Sequence, residues 1–155
     1  KFLVVNADLF RRHCPTADFN YWNSETRENL LAVQHQFMKE TGEIEPNVAV
    51  YDWHPEHRGD MRVVFPHYVQ DDFFEPSCGT GSVALGLAVL AAGELEQLPV
   101  SDNGWLTINL ESGGGIELGG PDFTTLELKI EGEIAKSAVF SHSRVEITAV
   151  GEARL

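Results

Sequence analysis

The segment at 83–92 constrains the fold more than any other part of the sequence, because none of its side chains is polar. It reads Val-Ala-Leu-Gly-Leu-Ala-Val-Leu-Ala-Ala. A helix without a polar face is buried on all sides. The segment is also too short to cross a membrane, which takes about 20 apolar residues. It therefore predicts a central helix at about 80–93 that the rest of the chain encloses.

Most of the remaining sequence alternates between apolar and polar residues, which is typical of half-buried strands. We expect these strands at 2–9, 47–53, 61–65, 105–110, 115–118, 124–131 and 135–150. An outer amphipathic helix is expected at about 25–41, with Ser24 as its N-cap and Gly42 at its end. The stretches 11–23 and 66–76 are interpreted as loops. Together these elements predict an α+β domain, with a curved, mostly antiparallel sheet wrapped around the central helix.

The charge of the chain restricts its partners. Twenty-four acidic residues against 11 basic ones give a formal net charge of −13. Nucleic acid and anionic membrane surfaces are therefore not expected as partners, since both require basic patches. A small anion stays possible, because a helix N-terminus can bind one locally. The two cysteines are too few for a disulfide scaffold, so a cytoplasmic location is expected.

The stretch Cys78-Gly79-Thr80-Gly81-Ser82, where the central helix begins, is the part of the sequence most suited to chemistry. Two glycines let the backbone turn sharply and approach a ligand closely. The first N–H groups of a helix have no partner within it and can bind a carboxylate or phosphate. The same helix end stabilises a thiolate, whereas the neighbouring acids Asp71, Asp72 and Glu75 oppose it. A thiol beside a carboxylate-binding site is suited to removing a proton α to that carboxylate.

This motif, followed by an apolar helix of small residues, resembles the second cysteine motif of the diaminopimelate epimerase and proline racemase superfamily. The order of elements is similar as well, with Asn47-Val48 opening a strand before the cysteine helix. Phe65-Pro66 and Glu75-Pro76 are similar to the phenazine-biosynthesis isomerase branch, which shares the fold without the cysteine pair. Residues 1–155 thus resemble one lobe, the C-terminal half of a two-lobe enzyme.

The resemblance implies a cofactor-independent racemase, epimerase or isomerase that acts on an amino or hydroxy acid. Each lobe of such an enzyme presents one thiol to the substrate Cα, and here Cys78 is implied as the acid/base. The residues implied to hold the substrate are Gly79, Thr80, Gly81, Ser82, Asn47 and Asn6. The opposing acid/base is expected from a complementary lobe in the same precursor, in another chain or in a second copy. The family's Glu-Arg-Gly segment is replaced here at 70–74, which leaves the substrate open.

Two other interpretations of the motif stay open. Glycines at a helix start often serve packing, and a lone cysteine is most often a small buried hydrophobe. The chain would then be a non-catalytic anion-binding or assembly module of the same fold. Alternatively, a carboxylate such as Glu75 replaces the thiol as the base.

The sequence provides no metal site that we expect to be used. Asp52, His54, Glu56 and His57 are close together, but their spacing matches no helical ligand pair and Pro55 indicates an exposed turn. We therefore expect no metal and no cofactor. His67 lies nearest to the cysteine loop and could line a pocket there.

Overall fold

The computed structural model describes residues 1–21, 23–67, 73–94, 98, 100–114, 119–132 and 134–142. In chain order, the elements are β1 (Phe2–Asn6), α1 (Ala7–Arg11), α2 (Ser24–Thr41), β2 (Asn47–Asp52), β3 (Met61–His67), β4 (Phe73–Glu75), α3 (Gly79–Ala91), β5 (Trp105–Ser112), β6 (Asp122–Glu131) and β7 (Ile134–His142).

These strands form one mixed sheet. Its order is β1-β2-β3-β5-β6-β7, and β4 pairs with β3 beside this path. Two of the described pairings, β1 with β2 and β3 with β5, are parallel, whereas the other four are antiparallel. Strands β3 and β5 are parallel because α3 lies between them in sequence. The helix returns the chain to the end of the sheet at which β3 begins.

The sheet is strongly curled into a half-barrel around α3. Six flat strands would span about 24 Å from the first to the last, whereas a helix is only about 10 Å wide. Yet α3 contacts β1 and β2 at one side of the sheet and β6 and β7 at the other. The two sides must therefore bend towards each other. The expected α+β domain, with a curved sheet around α3, is confirmed. The expectation that the chain encloses this helix on all sides is wrong, because the half-barrel leaves one face of α3 open and Leu87 is 42% exposed.

Two apolar clusters cover the two faces of the sheet. The inner core lies on the concave face, where Leu85 and Val89 of α3 pack against Met61, Ile108 and Leu126 of the strands. The outer core lies on the convex face of β1 to β3. There Leu30 of α2 packs with Phe10, Phe19, Val48, Val50, Val64 and Phe74. Because β2 and β3 are covered on both faces, they are buried along almost their whole length.

Gly86 explains how α3 can lie so close to the sheet. A Cβ atom at this position would come within 2.5 Å of Leu126 Cδ2 and 3.1 Å of Leu128 Cδ1. Both leucines are fully buried and have no room to move away. The absence of a side chain therefore sets the distance between α3 and β6, and this distance determines how tightly the half-barrel closes.

Helix α2 forms where it was expected and ends at Gly42 as expected, but its N-cap and its buried face differ in detail. Asn23 is the N-cap rather than Ser24, because the Asn23 side chain accepts a hydrogen bond from the N–H of Thr26 at 2.8 Å. Gly42 ends the helix in the left-handed conformation, with φ 73°. Leu30 is 1% exposed, whereas Val33, whose spacing from Leu30 places it on the same face of an amphipathic helix, is 38% exposed.

Two further expectations are corrected. The first strand ends at Asn6 instead of continuing to residue 9, because the Asn6 side chain accepts hydrogen bonds from the N–H groups of Asp8 and Leu9 and so starts α1. The loop expected at 66–76 contains the end of β3 and all of β4, which pair with each other. The strand expected at 115–118, and the last strand beyond residue 142, lie outside the described residues.

Candidate functional site

The start of α3 carries exposed hydrogen-bond donors. Cys78 is the N-cap, and its carbonyl oxygen accepts the first helical bond from the N–H of Ser82 at 2.8 Å. The N–H groups of Gly79, Thr80 and Gly81 precede that bond and have no acceptor within the helix. The Cys78 side chain does not cap them, and the first turn contains no acidic residue. This helix end therefore keeps a partial positive charge, which favours an anion.

The thiol of Cys78 lies half-buried at this helix end. Its Sγ is 3.5 Å from Thr80 Oγ1, so one of the two groups donates a hydrogen bond to the other. The side chain also packs against the inner core. The other free cysteine, Cys14, is only 3% exposed and belongs to the outer core. Of the two thiols, Cys78 alone combines access to solvent with the start of a helix.

Aromatic rings from three strands surround the helix start. A Cβ atom at Gly81 would come within 2.5 Å of the Phe65 ring and 3.2 Å of the Phe2 ring. At Gly79 it would come within 3.3 Å of the Phe140 ring. These rings belong to β3, β1 and β7, so both edges of the curled sheet approach the same turn of α3. Gly81 is thus required for packing, whatever further role its N–H has.

The residues expected to bind a carboxylate differ in how accessible they are. Thr80 is exposed and Gly79 is half-buried, so both can reach a ligand. Gly81 is buried. Ser82 is 1% exposed, its N–H is already used by Cys78, and its hydroxyl is enclosed with no hydrogen-bond partner in the described part of the chain. The accessible part of the motif is therefore Cys78 with the first two residues of α3.

Asn47 lies at the same end of the sheet as Cys78. It pairs in register with Phe2, whose ring faces Gly81. Side chains alternate along a strand, so Asn47 points to the same face as Ala49, which belongs to the inner core. The Asn47 side chain is exposed. By its position, Asn47 can help to enclose a ligand at the start of α3.

Two further polar groups come to this end of the sheet. Glu75 pairs with Phe65 and is followed three residues later by Cys78. His67 is the last residue of β3, and its Nδ1 is buried without a hydrogen-bond partner among the described residues. Its ring contacts Phe73, with the ring centroids 5.0 Å apart. His67 and Asn47 also line a pocket of about 360 Å³, but its other wall is formed by Leu31, Gln34, His35 and Met38 of α2. This pocket therefore lies on the convex side of the sheet and not at Cys78.

Asn6 lies at the other end of the central helix. Its side chain caps α1 and donates a hydrogen bond to Tyr51 Oη at 3.1 Å. Tyr51 in turn donates to Glu94 Oε2 at 2.8 Å, and Glu94 follows the last turn of α3. Because α3 has 13 residues, its two ends are about 20 Å apart. The structure therefore does not bring Asn6 and Cys78 to one small ligand.

Asp8, Asp52 and His54 form the cluster with metal-ligand chemistry in the described part of the chain. Their ligand atoms lie within 4.8 Å of one another. However, Arg11 Nη1 donates to Asp52 Oδ2 at 2.6 Å and so supplies the positive charge that a metal would bring. Burial raises the pKa of Asp52, but hydrogen bonds from Arg11 and from the His54 N–H outweigh it, so the pKa lies below its ordinary value. The cluster is satisfied as an ion pair.

The side chain of Glu111 holds the turn between β2 and β3 in place. The sequence does not predict this role. Glu111 is fully buried, and its carboxylate accepts hydrogen bonds from three consecutive backbone N–H groups. These belong to Glu56, His57 and Arg58, at 2.9, 2.7 and 3.1 Å. Glu111 alternates with the buried Leu110 and would be expected to face solvent, so no local signal reveals it. The polar turn at 52–60 is therefore an ordered feature.

No protein-family model matches the chain, and no curated protein or solved structure matches it either. None of the described helices combines the length and apolar character needed to span a membrane. A function for the start of α3 is therefore proposed from its geometry alone.

Proposed function

We propose that the chain is one lobe of a cofactor-independent racemase, epimerase or isomerase, with Cys78 as the acid/base. One observation carries this proposal: the half-buried Cys78 thiol lies beside the N–H groups of Gly79 and Thr80, which have no acceptor within the helix and no side-chain cap from Cys78. These N–H groups bind the substrate carboxylate. The curled sheet around an apolar helix supports the likeness to the diaminopimelate epimerase and proline racemase superfamily.

The chemistry follows from the placement of charge. The Cys78 thiolate removes the proton from the substrate Cα, so that the Cα–H bond breaks and an S–H bond forms. The electron pair moves into the carboxylate group, where negative charge builds up on the oxygens. The N–H groups at the start of α3 stabilise that charge because they are already oriented towards it. The rings of Phe2, Phe65 and Phe140 pack against this turn of the helix. A complementary lobe that covers the turn excludes water and so strengthens these interactions.

Inversion at Cα requires a second acid on the opposite face of the substrate. In this proposal, a complementary lobe provides it, from the same precursor, another chain or a second copy. Asn47, at the same end of the sheet, helps to position the substrate. We do not include Asn6 in this site, because it lies at the far end of α3.

A second candidate is a non-catalytic anion-binding or assembly module. It is favoured by the packing role of Gly81 and by the enclosed side chain of Ser82, since both are explained without any chemistry. In that case the helix start binds an anion, and the thiol of Cys78 has no role in turnover.

Exchange of the substrate α-proton with solvent distinguishes the two candidates. Native mass spectrometry first establishes the assembly that the chain forms. That assembly is incubated in D₂O with a panel of α-amino and α-hydroxy acids, and deuterium at Cα is followed by NMR. The proposal predicts exchange that Cys78→Ala abolishes on one face, whereas the control Cys14→Ala leaves it intact. Exchange that is undiminished on both faces in Cys78→Ala would refute the catalytic role.

A further inference from the structure

A groove of about 620 Å³ lies between β1 and α2, away from the start of α3. One wall is formed by all four residues at 3–6 in β1. Since successive side chains of a strand point to opposite faces, four consecutive lining residues mean that the edge of the strand itself faces the groove. The other wall is formed by Asn29, Ala32, Val33 and Gln36 of α2. Their spacing of three, four and seven residues places them on one face of the helix.

The β1 edge is open for pairing. Among the described strands, β1 pairs with β2 alone and lies at the end of the sheet order. Every residue of β1 is partly exposed. A strand edge carries N–H and C=O groups that can pair with another strand. The sequence Phe-Leu-Val-Val-Asn contains no proline and no charge, which are the usual means of protecting such an edge.

Two apolar side chains that line the groove are only partly covered by the rest of the protein. Val33 is 38% exposed, although its spacing is that of a buried position in α2. Leu9, which also lines the groove, is 52% exposed. The groove therefore offers apolar contacts next to an unpaired strand edge.

The charge of the groove differs from that of the whole protein. The chain has a net charge of −13, yet none of the described residues that line the groove is acidic. Arg12 and His13, both exposed, line it just after α1. Asp8, on the preceding helix, pairs instead with Arg11 and His54. The groove thus favours an apolar ligand with a carboxylate near the Arg12 end.

We propose that this groove binds an extended peptide segment by β-strand addition to β1. The backbone of the peptide pairs with the free edge of β1, as in other complexes that extend a sheet. Its apolar side chains contact Leu9 and Val33, and its carboxylate interacts with Arg12. This inference does not depend on the function proposed for Cys78.

The test uses the hexapeptide acetyl-Ser-Val-Thr-Val-Thr-Val with a free carboxyl terminus as the probe. Binding is followed by amide chemical-shift changes of the ¹⁵N-labelled full chain. The expected result is a set of shifts confined to residues 3–6, to Leu9 and Arg12, and to the groove face of α2. Charge reversal in Arg12→Glu should weaken binding about fivefold, because it replaces an exposed attraction by a repulsion. The matched control is Lys136→Glu, an exposed charge reversal on β7, which should leave the affinity unchanged.

A second peptide tests the strand pairing itself. N-methylation of alternate amides removes the donors that pair with β1 but keeps every side chain, so binding should be lost. Equal binding of the N-methylated peptide would overturn the proposal, because the groove would then accept an apolar chain without pairing. Absence of shifts at millimolar peptide would overturn it too. So would a concentration-dependent dimer that Val33→Asp dissociates, since a second copy would then occupy the groove.

Discussion

Replacing Glu111 by Gln tests how the turn between β2 and β3 is held. The carboxylate accepts three backbone hydrogen bonds, from Glu56, His57 and Arg58. A hydrogen bond to a charged group contributes about 1.5–3 kcal/mol, compared with about 1 kcal/mol for a neutral one. The loss of charge over three bonds therefore costs about 3 kcal/mol in the free energy of unfolding. The NH₂ group of the glutamine would also face a backbone donor.

This cost can be measured by urea denaturation and by thermal unfolding, both followed by circular dichroism. For a chain of this length, about 3 kcal/mol lowers Tm by about 6–12 °C. Hydrogen exchange should also show faster exchange at the amides of Glu56, His57 and Arg58, because they lose their acceptor. The matched control is Glu127→Gln, on the same outer face of the sheet, with an expected change within about 0.5 kcal/mol. If Glu111→Gln changed stability no more than this control, the three hydrogen bonds to the Glu111 carboxylate would not stabilise the fold as proposed.

Three more substitutions test the packing and the electrostatics. Gly81→Ala should lower the free energy of unfolding by about 1–2 kcal/mol in urea titrations, because crowding against Phe65 exceeds the gain in helix propensity. Asp52→Asn should flatten the loss of stability at acid pH. The lowered pKa of Asp52 gives stability that is present above its ordinary value of 3.8 and lost as the pH falls through the folded value. Tyr51→Phe should remove a loss of stability at alkaline pH, because burial and the nearby carboxylate of Glu94 raise the pKa of Tyr51 in the folded protein. The resulting stability is present below pH 10.0, the ordinary pKa of tyrosine. It is lost as the pH rises through the pKa of Tyr51 in the folded protein.

For each of these three predictions, one result would contradict the expected effect of the substitution. Gly79→Ala is the control for Gly81→Ala, since the 3.3 Å contact with the half-buried Phe140 can relax; equal effects at the two glycines would contradict the packing argument. For Asp52→Asn and Tyr51→Phe, urea midpoints are measured across the acid and the alkaline range respectively. Profiles parallel to that of the wild type would show that these groups do not carry the pH dependence.

The sequence predicts the central helix and the strands well because their signals are local. The apolar run at 83–92 predicts a helix that packs against the core, as Leu85 and Val89 do, although Leu87 stays 42% exposed. The alternation at 124–131 identifies β6 and the face that it buries. These patterns do not depend on distant residues. They are sufficient to predict a curved sheet around an apolar helix, and they place Cys78 at the helix start.

Long-range contacts account for what the sequence does not predict. Glu111 is buried because it binds a turn about 55 residues earlier in the chain. The packing role of Gly81 depends on rings from β1 and β3, which sequence spacing does not bring together. Asn6 is different, because an Asn followed two residues later by an Asp is a local signal for a helix start. That signal was present in the sequence, and it explains why Asn6 caps α1 instead of joining the site at Cys78.

The proposed site depends most on the positive electrostatic potential at the start of α3. It is tested by the rates at which Cys78 reacts with iodoacetate, which is anionic, and with iodoacetamide, which is neutral. The ratio of the two rates is compared with that of a model thiol in the same buffer, so that the fraction of thiolate cancels. The free N–H groups should raise this ratio about two- to fivefold, despite the net negative charge of the chain. A ratio at or below that of the model thiol would show that the helix start does not attract a carboxylate, and would contradict the proposed site.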